Sequence, residues 1–144
     1  MEKIIKTGVC SYGMSGTIFH VPFIHVHPGF EFTAIVERSK DLAKQQHPNV
    51  KVYRSLEEML QDSSLDLIVV NTPNYTHYDY TKAALEAGKH VIVEKPFTVH
   101  SAEGEELIAL AKKKGLFLSV YQNRRYDSDF RISREVVQSG VLGD

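Results

Sequence analysis

The chain has 144 residues, a formal net charge of −1 and one cysteine, with 42% hydrophobic and 24% charged residues. This is enough for one ordinary globular domain, while the near-neutral charge excludes a non-specific nucleic-acid binder and the lone Cys10 excludes a disulfide framework and points to a reducing cytoplasm. No apolar run approaches the roughly 18 residues of a membrane span, and Met1 to Gly8 has no apolar stretch of signal-peptide length.

Strand and helix patterns alternate along the chain. Ile4 to Ser11 reads as a first strand, followed by a turn with Gly13 and Gly16 and a helical stretch that Pro22 should limit. Phe30 to Glu37 is a second strand, and Ser39 to Gln46 a helix with Ser39 as its expected N-cap. Lys51 to Tyr53 is a short strand. Ser55 and Glu58 have capping-box spacing at the start of a helix to Gln61. Asp66 to Asn71 carries the apolar run Leu67-Ile68-Val69-Val70. A helix over 74–87 has Tyr80, Ala83, Ala84 and Ala87 at helical spacing and stops at Gly88. His90 to Val93 is the fifth strand, Ser101 to Lys114 a helix ended by Gly115, and Leu116 to Tyr121 the sixth strand. Asp127 to Ser139 is a last helix, closed by Gly140. Cys10, in an apolar strand, reads as core packing rather than a reactive thiol.

Strands without polar alternation, separated by helices, indicate a parallel sheet covered on both faces. Right-handed crossovers then give a doubly wound α/β fold of the Rossmann type, one domain over 1–144. The stop at Asp144, directly after a helix, reads as a domain edge.

The first strand leads into Gly8-Val9-Cys10-Ser11-Tyr12-Gly13-Met14-Ser15-Gly16. A dinucleotide fingerprint needs glycines here for a tight turn, for backbone approach to a pyrophosphate and for close helix–strand packing. The helix N-terminus adds free N–H groups and partial positive charge. Gly13 and Gly16 match the second and third positions, whereas Ser11 replaces the first and takes a positive φ less readily than glycine. Glu37 ends the second strand 21 residues after Gly16, the spacing of a ribose 2′-hydroxyl acceptor. Its carboxylate favours NAD over NADP. Arg38, Ser39 and Lys40 either hold a 2′-phosphate or form a solvated helix start, and Arg38 can also stack on adenine.

Other candidates lie at the carboxyl ends of later strands, where ligands of open α/β sheets bind. Asn71-Thr72-Pro73-Asn74-Tyr75-Thr76-His77 follows the fourth, although Asn74 or Thr76 can simply cap the helix and His77 can be structural. Glu94-Lys95-Pro96 follows the fifth, as a substrate-holding lysine with its partner or as a surface ion pair. Tyr121 to Asp127 follows the sixth, where Arg124 and Arg125 either bind an anion or are neutralised by Asp127 and Asp129. His20, His25 and His27 cluster in sequence, but no cysteine or carboxylate completes a metal set, and no metal is expected.

Taken together, the turn through Phe19-His20-Val21-Pro22, Thr72-Pro73-Asn74 with His77, Ala84 to Val91, Glu94-Lys95-Pro96-Phe97 and Tyr121 to Arg125 with Asp127 resemble the Gfo/Idh/MocA oxidoreductases over the whole chain. Asn-Arg-Arg followed by an aromatic residue and Asp is similar to the subgroup that includes scyllo-inositol dehydrogenases. The resemblance implies an NAD(P)-dependent dehydrogenase acting on a sugar or cyclic polyol, as a homo-oligomer. It places Ser11, Tyr12, Gly13, Met14, Ser15 and Gly16 around the pyrophosphate, and Glu37 and Arg38 beside the adenosine. Thr72, Pro73, Asn74 and His77 would line the cofactor groove. Glu94 would lie near the nicotinamide, Lys95 would act as the catalytic residue at the reacting hydroxyl, and Asn123 and Arg124 would stand close by. The family's second, α+β domain carries further acid/base residues and does not follow Asp144, so the isolated chain is expected to be inactive. A non-catalytic dinucleotide-binding regulatory module is the alternative; it needs no lysine at the fifth strand's end. A nucleotide-sugar or methyl-donor enzyme on the same fold is a third reading.

Overall fold

The computed structural model describes residues 3–143; Met1, Glu2 and Asp144, which the expected domain of 1–144 includes, lie outside the described residues. Six strands, β1 (Ile5–Val9), β2 (Phe30–Val36), β3 (Lys51–Tyr53), β4 (Leu67–Val70), β5 (His90–Val93) and β6 (Leu118–Val120), form one sheet in the order β3-β2-β1-β4-β5-β6. Every pairing is parallel. The chain builds outward from β1 to β3 and then returns to add β4 to β6 on the other side, which is the doubly wound topology expected from the alternation. The reversal falls between β1 and β4, and ligands of such sheets bind at that switch point.

Strand pleating sends alternate residues to two cores. Ile68 and Val70 face one core together with Ala34, Val36, Val91 and Val93. Val69, Val9 and Ile35 face the other. Helices α3 (Leu56–Leu60), α4 (His77–Glu86) and α5 (Ser101–Lys114) cover the first core through Leu56, Met59, Ala84, Leu85 and Leu107. Helices α1 (Val21–Val26) and α2 (Leu42–Gln46) cover the second through Val21 and Ala43. Burial of each such aliphatic side chain contributes about 1.5–3 kcal/mol, which is why the β4 run is continuously apolar. Cys10 lies in the first core at 4% exposure, where burial pushes its thiol far above the ordinary range. A last helix, α6 (Ser128–Gln138), has no buried residue and leaves Phe130, Ile132 and Val137 exposed. Among the described residues no helix is long and apolar enough to cross a membrane.

Two local expectations are corrected. Pro22 does not limit the first helical stretch, which runs from Met14 to Val26. Gly16–His20 instead forms a π-turn, with Val21 N–H donating to Gly16 O, and Pro22 opens α1 behind it. The wider turn shifts the backbone where the proline ring would meet the carbonyl four residues back. Ser39 does not cap α2, which starts three residues later; Glu37 takes that role, as described below. Ser55, by contrast, caps α3 as its spacing predicts, accepting the Glu58 N–H at 3.2 Å.

Candidate functional site

The turn after β1 is built on a close backbone approach. A Cβ on Gly16 would fall 2.1 Å from the Ser11 carbonyl oxygen and 3.1 Å from Asn71 Nδ2, so position 16 admits only glycine. Gly13 differs: its Cβ would meet Ser11 Oγ at 3.4 Å, an ordinary contact, and the space beside it is free. No non-glycine residue among those described has a positive φ. Ser11 therefore carries no strain in place of a glycine. Its Oγ accepts the Gly13 N–H at 3.2 Å, and its carbonyl accepts Asn71 Nδ2–H at 2.8 Å. Asn71 thus ties the turn to the end of β4.

That bond also settles the orientation of the Asn71 amide, because Oδ1 would be repelled by the Ser11 carbonyl. Oδ1 then points elsewhere. Asn71 is 7% exposed, and its Oδ1 has no hydrogen-bond partner among the described residues. A buried acceptor left unpaired costs about 1–3 kcal/mol, and the residue that carries it lines a pocket.

Two cavities flank the glycine turn and meet at Thr72. One, of about 250 Å³, is lined by Met14, Ser15, Asn71, Thr72, Asn74, His77, Glu94, Lys95, Asn123 and Arg124, with Phe19. The other, of about 420 Å³, lies on the β2 side and is lined by Ser11, Tyr12, Glu37, Arg38, Ser39, Lys40, Thr72 and Pro73, among others. Gly13 and Gly16 stand at the turn between them. The expected site residues are thus brought together at the carboxyl edge of the sheet, and four of them also make hydrogen bonds within the protein.

Glu37 is 8% exposed. Its two oxygens accept the backbone N–H groups of Leu42 at 3.1 Å and Ala43 at 2.9 Å, so the carboxylate satisfies the open N-terminus of α2. Arg54 reinforces the corner, donating to the carbonyls of Glu37 at 2.9 Å and Lys40 at 2.8 Å. Ser15 turns its hydroxyl inward to Glu94 Oε1 at 2.7 Å. His77, 1% exposed, bridges the ends of β4 and β5 through ring nitrogens 2.9 Å from the Thr72 carbonyl oxygen and 2.7 Å from that of Pro96. Arg124 donates to Asp127 at 2.6 Å, the neutralised alternative, while still bordering the first cavity.

Thr76 donates to the Pro73 carbonyl at 2.6 Å, so the 2.6 Å bond between Thr72 and Thr76 has Thr72 as its donor. Neither Asn74 nor Thr76 supplies a side-chain cap to the helix that follows. Lys95 is exposed and borders the first cavity. Its side chain has no hydrogen-bond or ion-pair partner among the described residues.

Sequence reasoning missed His20 as a site residue. It is 4% exposed, and its Nε2 lies 3.0 Å from Glu94 Oε1. The three histidines of that segment do not converge: His27 Nδ1 accepts the Gly29 N–H at 3.0 Å, and the His25 ring packs against His47 at 5.1 Å. Among the described residues no group of three or more His, Cys, Asp or Glu side chains is placed to hold a metal ion. The signal for His20 was its position two residues before Pro22 in the helical stretch after the glycine turn, but only the fold brings positions 20 and 94 together.

Residues 5–122 match the model of the oxidoreductase family with an NAD-binding Rossmann fold. An uncharacterised oxidoreductase of Schizosaccharomyces pombe is 48% identical over 97% of this chain and 39% of its own length. The scyllo-inositol 2-dehydrogenase (NADP(+)) of Bacillus subtilis is 40% identical over 97% of this chain and 39% of its own length. Among solved structures, an oxidoreductase from Bacteroides fragilis superposes with a TM-score of 0.88 at 58% identity, covering 98% of this chain and 44% of that one. A 3-ketoreductase from Actinomadura kijaniata, solved in complex with NADP, gives 0.90 at 27% identity, covering 99% and 46%. The chain therefore spans about two-fifths of the length of the curated relatives it matches. With the switch-point groove, the glycine turn and these matches, the chain belongs to the Gfo/Idh/MocA oxidoreductase family and forms its NAD(P)-binding Rossmann domain.

Proposed function

We propose that the chain binds NADP across the two cavities and serves as the cofactor half of an oxidoreductase that interconverts a secondary alcohol and a ketone on a sugar or cyclic polyol. One observation carries the dinucleotide reading: two cavities flank a turn whose Gly16 admits no side chain, with Asn71, whose buried Oδ1 has no partner among the described residues, lining the inner one. Gly13 leaves room for a phosphate at the turn. When bound, the dinucleotide supplies the hydride carrier. The chain supplies binding, orientation and charge. Lys95, unpaired beside the inner cavity, is the residue to hold the reacting hydroxyl, and this favours the enzyme over a non-catalytic module.

The choice of NADP rests on Glu37. The preference for NAD drawn from sequence had its carboxylate turned to the 2′-hydroxyl, whereas each oxygen here accepts an N–H of α2 and the carboxylate is directed to that helix. Arg38, Ser39 and Lys40 border the outer cavity and offer cations and a hydroxyl to a 2′-phosphate. The B. subtilis relative named for NADP and the ketoreductase solved with NADP support the same reading.

Calorimetric titration with NADP and NAD tests it. NADP is expected to bind at least about tenfold more tightly, and Arg38→Ala with Lys40→Ala should lower NADP affinity about tenfold while leaving NAD nearly unchanged, the scale of lost charge-assisted hydrogen bonds. Equal affinities in the wild type would overturn the NADP assignment, and binding of neither would overturn the dinucleotide reading.

A further inference from the structure

The Glu94 carboxylate is surrounded by donors. Ser15 Oγ donates to Oε1 at 2.7 Å, His20 Nε2 lies 3.0 Å from the same oxygen, and the Lys95 backbone N–H reaches Oε2 at 3.2 Å. The side chains of the His20–Glu94 pair are 3% and 12% exposed.

His20 itself is held in place. Its ring packs on Tyr121 at 4.4 Å between centroids, and Tyr121 donates its hydroxyl to the Phe19 carbonyl at 2.8 Å. The π-turn at Gly16–His20 is the local device that sets this inward position; such turns recur at functional sites. The helix that opens the phosphate turn, the end of β5 and the start of the β6 loop therefore converge on one carboxylate.

Protonation states follow from the contacts. Burial lowers the affinity of His20 for a second proton, and Glu94 offsets this only in part. Burial also works to raise Glu94, but the bonds from Ser15, His20 and Lys95 outweigh it and hold the carboxyl below its ordinary value. A neutral imidazole thus donates Nε2–H to an ionised carboxylate. That leaves an ionised carboxylate on the wall of the inner cavity, where the cations are Lys95 and an Arg124 already paired with Asp127 at 2.6 Å. The Lys95 ammonium opposes it, but Lys95 is exposed and screened by solvent, whereas Glu94 is buried.

We propose that His20 is a positioning residue that fixes Glu94 as a buried negative charge at the nicotinamide end of the groove, biasing the domain toward the oxidised, positively charged ring over the reduced, neutral one. The inference rests on the reading that the inner cavity receives the nicotinamide half, as the switch-point rule places it opposite the β2 side. A unit charge interacting across a partly buried groove is strong enough to move the ratio of the two affinities about tenfold.

The test titrates this chain with NADP and with NADPH and compares the two affinities. Glu94→Gln keeps the shape and removes the charge. It should weaken NADP about tenfold and change NADPH less than about twofold. His20→Leu, which leaves Glu94 unsupported, should shift the ratio in the same direction, and His20→Gln, which restores an N–H donor, should return most of it. Loss of packing alone would lower both affinities together and leave the ratio unchanged. Thermal melts check that each variant folds. If His20→Leu does not, Ser15→Ala removes a different donor from the same oxygen at the turn, and the ratio is read there. A ratio that Glu94→Gln leaves unchanged overturns the inference alone. Wild-type chain that binds neither form overturns the functional reading together with the inference.

Discussion

The Glu37 carboxylate accepts the Ala43 backbone N–H at 2.9 Å, six residues along the chain. An acidic residue whose spacing from the glycine turn marks it as a ribose acceptor is thereby the cap of the next helix. Glu37→Ala should destabilise the domain by about 1–2 kcal/mol, the cost of losing an N-cap and leaving buried donors unpaired. A drop in denaturation midpoint with NADP affinity retained is the expected pair of results. A stable variant that has lost its NAD affinity while keeping that for NADP would return Glu37 to the ribose 2′-hydroxyl.

The two glycines of the turn should respond differently to the same substitution. Gly16→Ala places a carbon 2.1 Å from the Ser11 carbonyl oxygen and should cost about 3 kcal/mol through backbone displacement. Gly13→Ala meets only Ser11 Oγ at 3.4 Å. It should fold with nearly wild-type stability yet weaken dinucleotide binding about tenfold, because the added methyl occupies space meant for the phosphate. Chemical denaturation and titration of both variants separate the two roles.

Lys95→Ala removes an exposed side chain and should leave stability within about 0.5 kcal/mol. In a protein carrying this domain together with the remainder found in its relatives, the variant should lower kcat by about a hundredfold or more while cofactor affinity stays within about twofold. Turnover at the wild-type rate would remove Lys95 from the reaction.

Stability should fall in acid in two stages. The unfolded chain protonates its histidines near pH 6.5, whereas folded His20 stays neutral to lower pH because it is buried. Stability is therefore lost as pH drops below that value. Burial lowers His47 as well, and the neighbouring His25 adds to the effect. Glu94 is held below its ordinary 4.5 in the fold, so its contribution is complete above that pH and disappears beneath it. Melting temperatures measured from pH 8 to pH 4 should be level at first and then decline from about pH 6.5. His20→Gln should flatten the first part of that decline, and an unchanged slope would mean that His20 is not the group titrating.

The architecture and most of the groove are legible in the chain alone. Continuous apolar strands such as Leu67 to Val70 can be buried only between two helical layers, and local spacing located the turn at Gly13 and Gly16 and the polar ends at Thr72, Glu94 and Asn123. Residue type and chain position suffice for those features because they depend on periodicity and on where strands end. Tertiary structure alone decided what each polar side chain does once it is there. Glu37 turned to α2 because the open N–H groups of Leu42 and Ala43 lay within reach, and Ser15 and His20 turned to Glu94, 79 and 74 residues away in sequence. Hydrogen bonds between groups brought together by parallel crossovers leave no periodic trace in the chain, so the partners of a buried carboxylate become visible only when the strands that carry them are side by side.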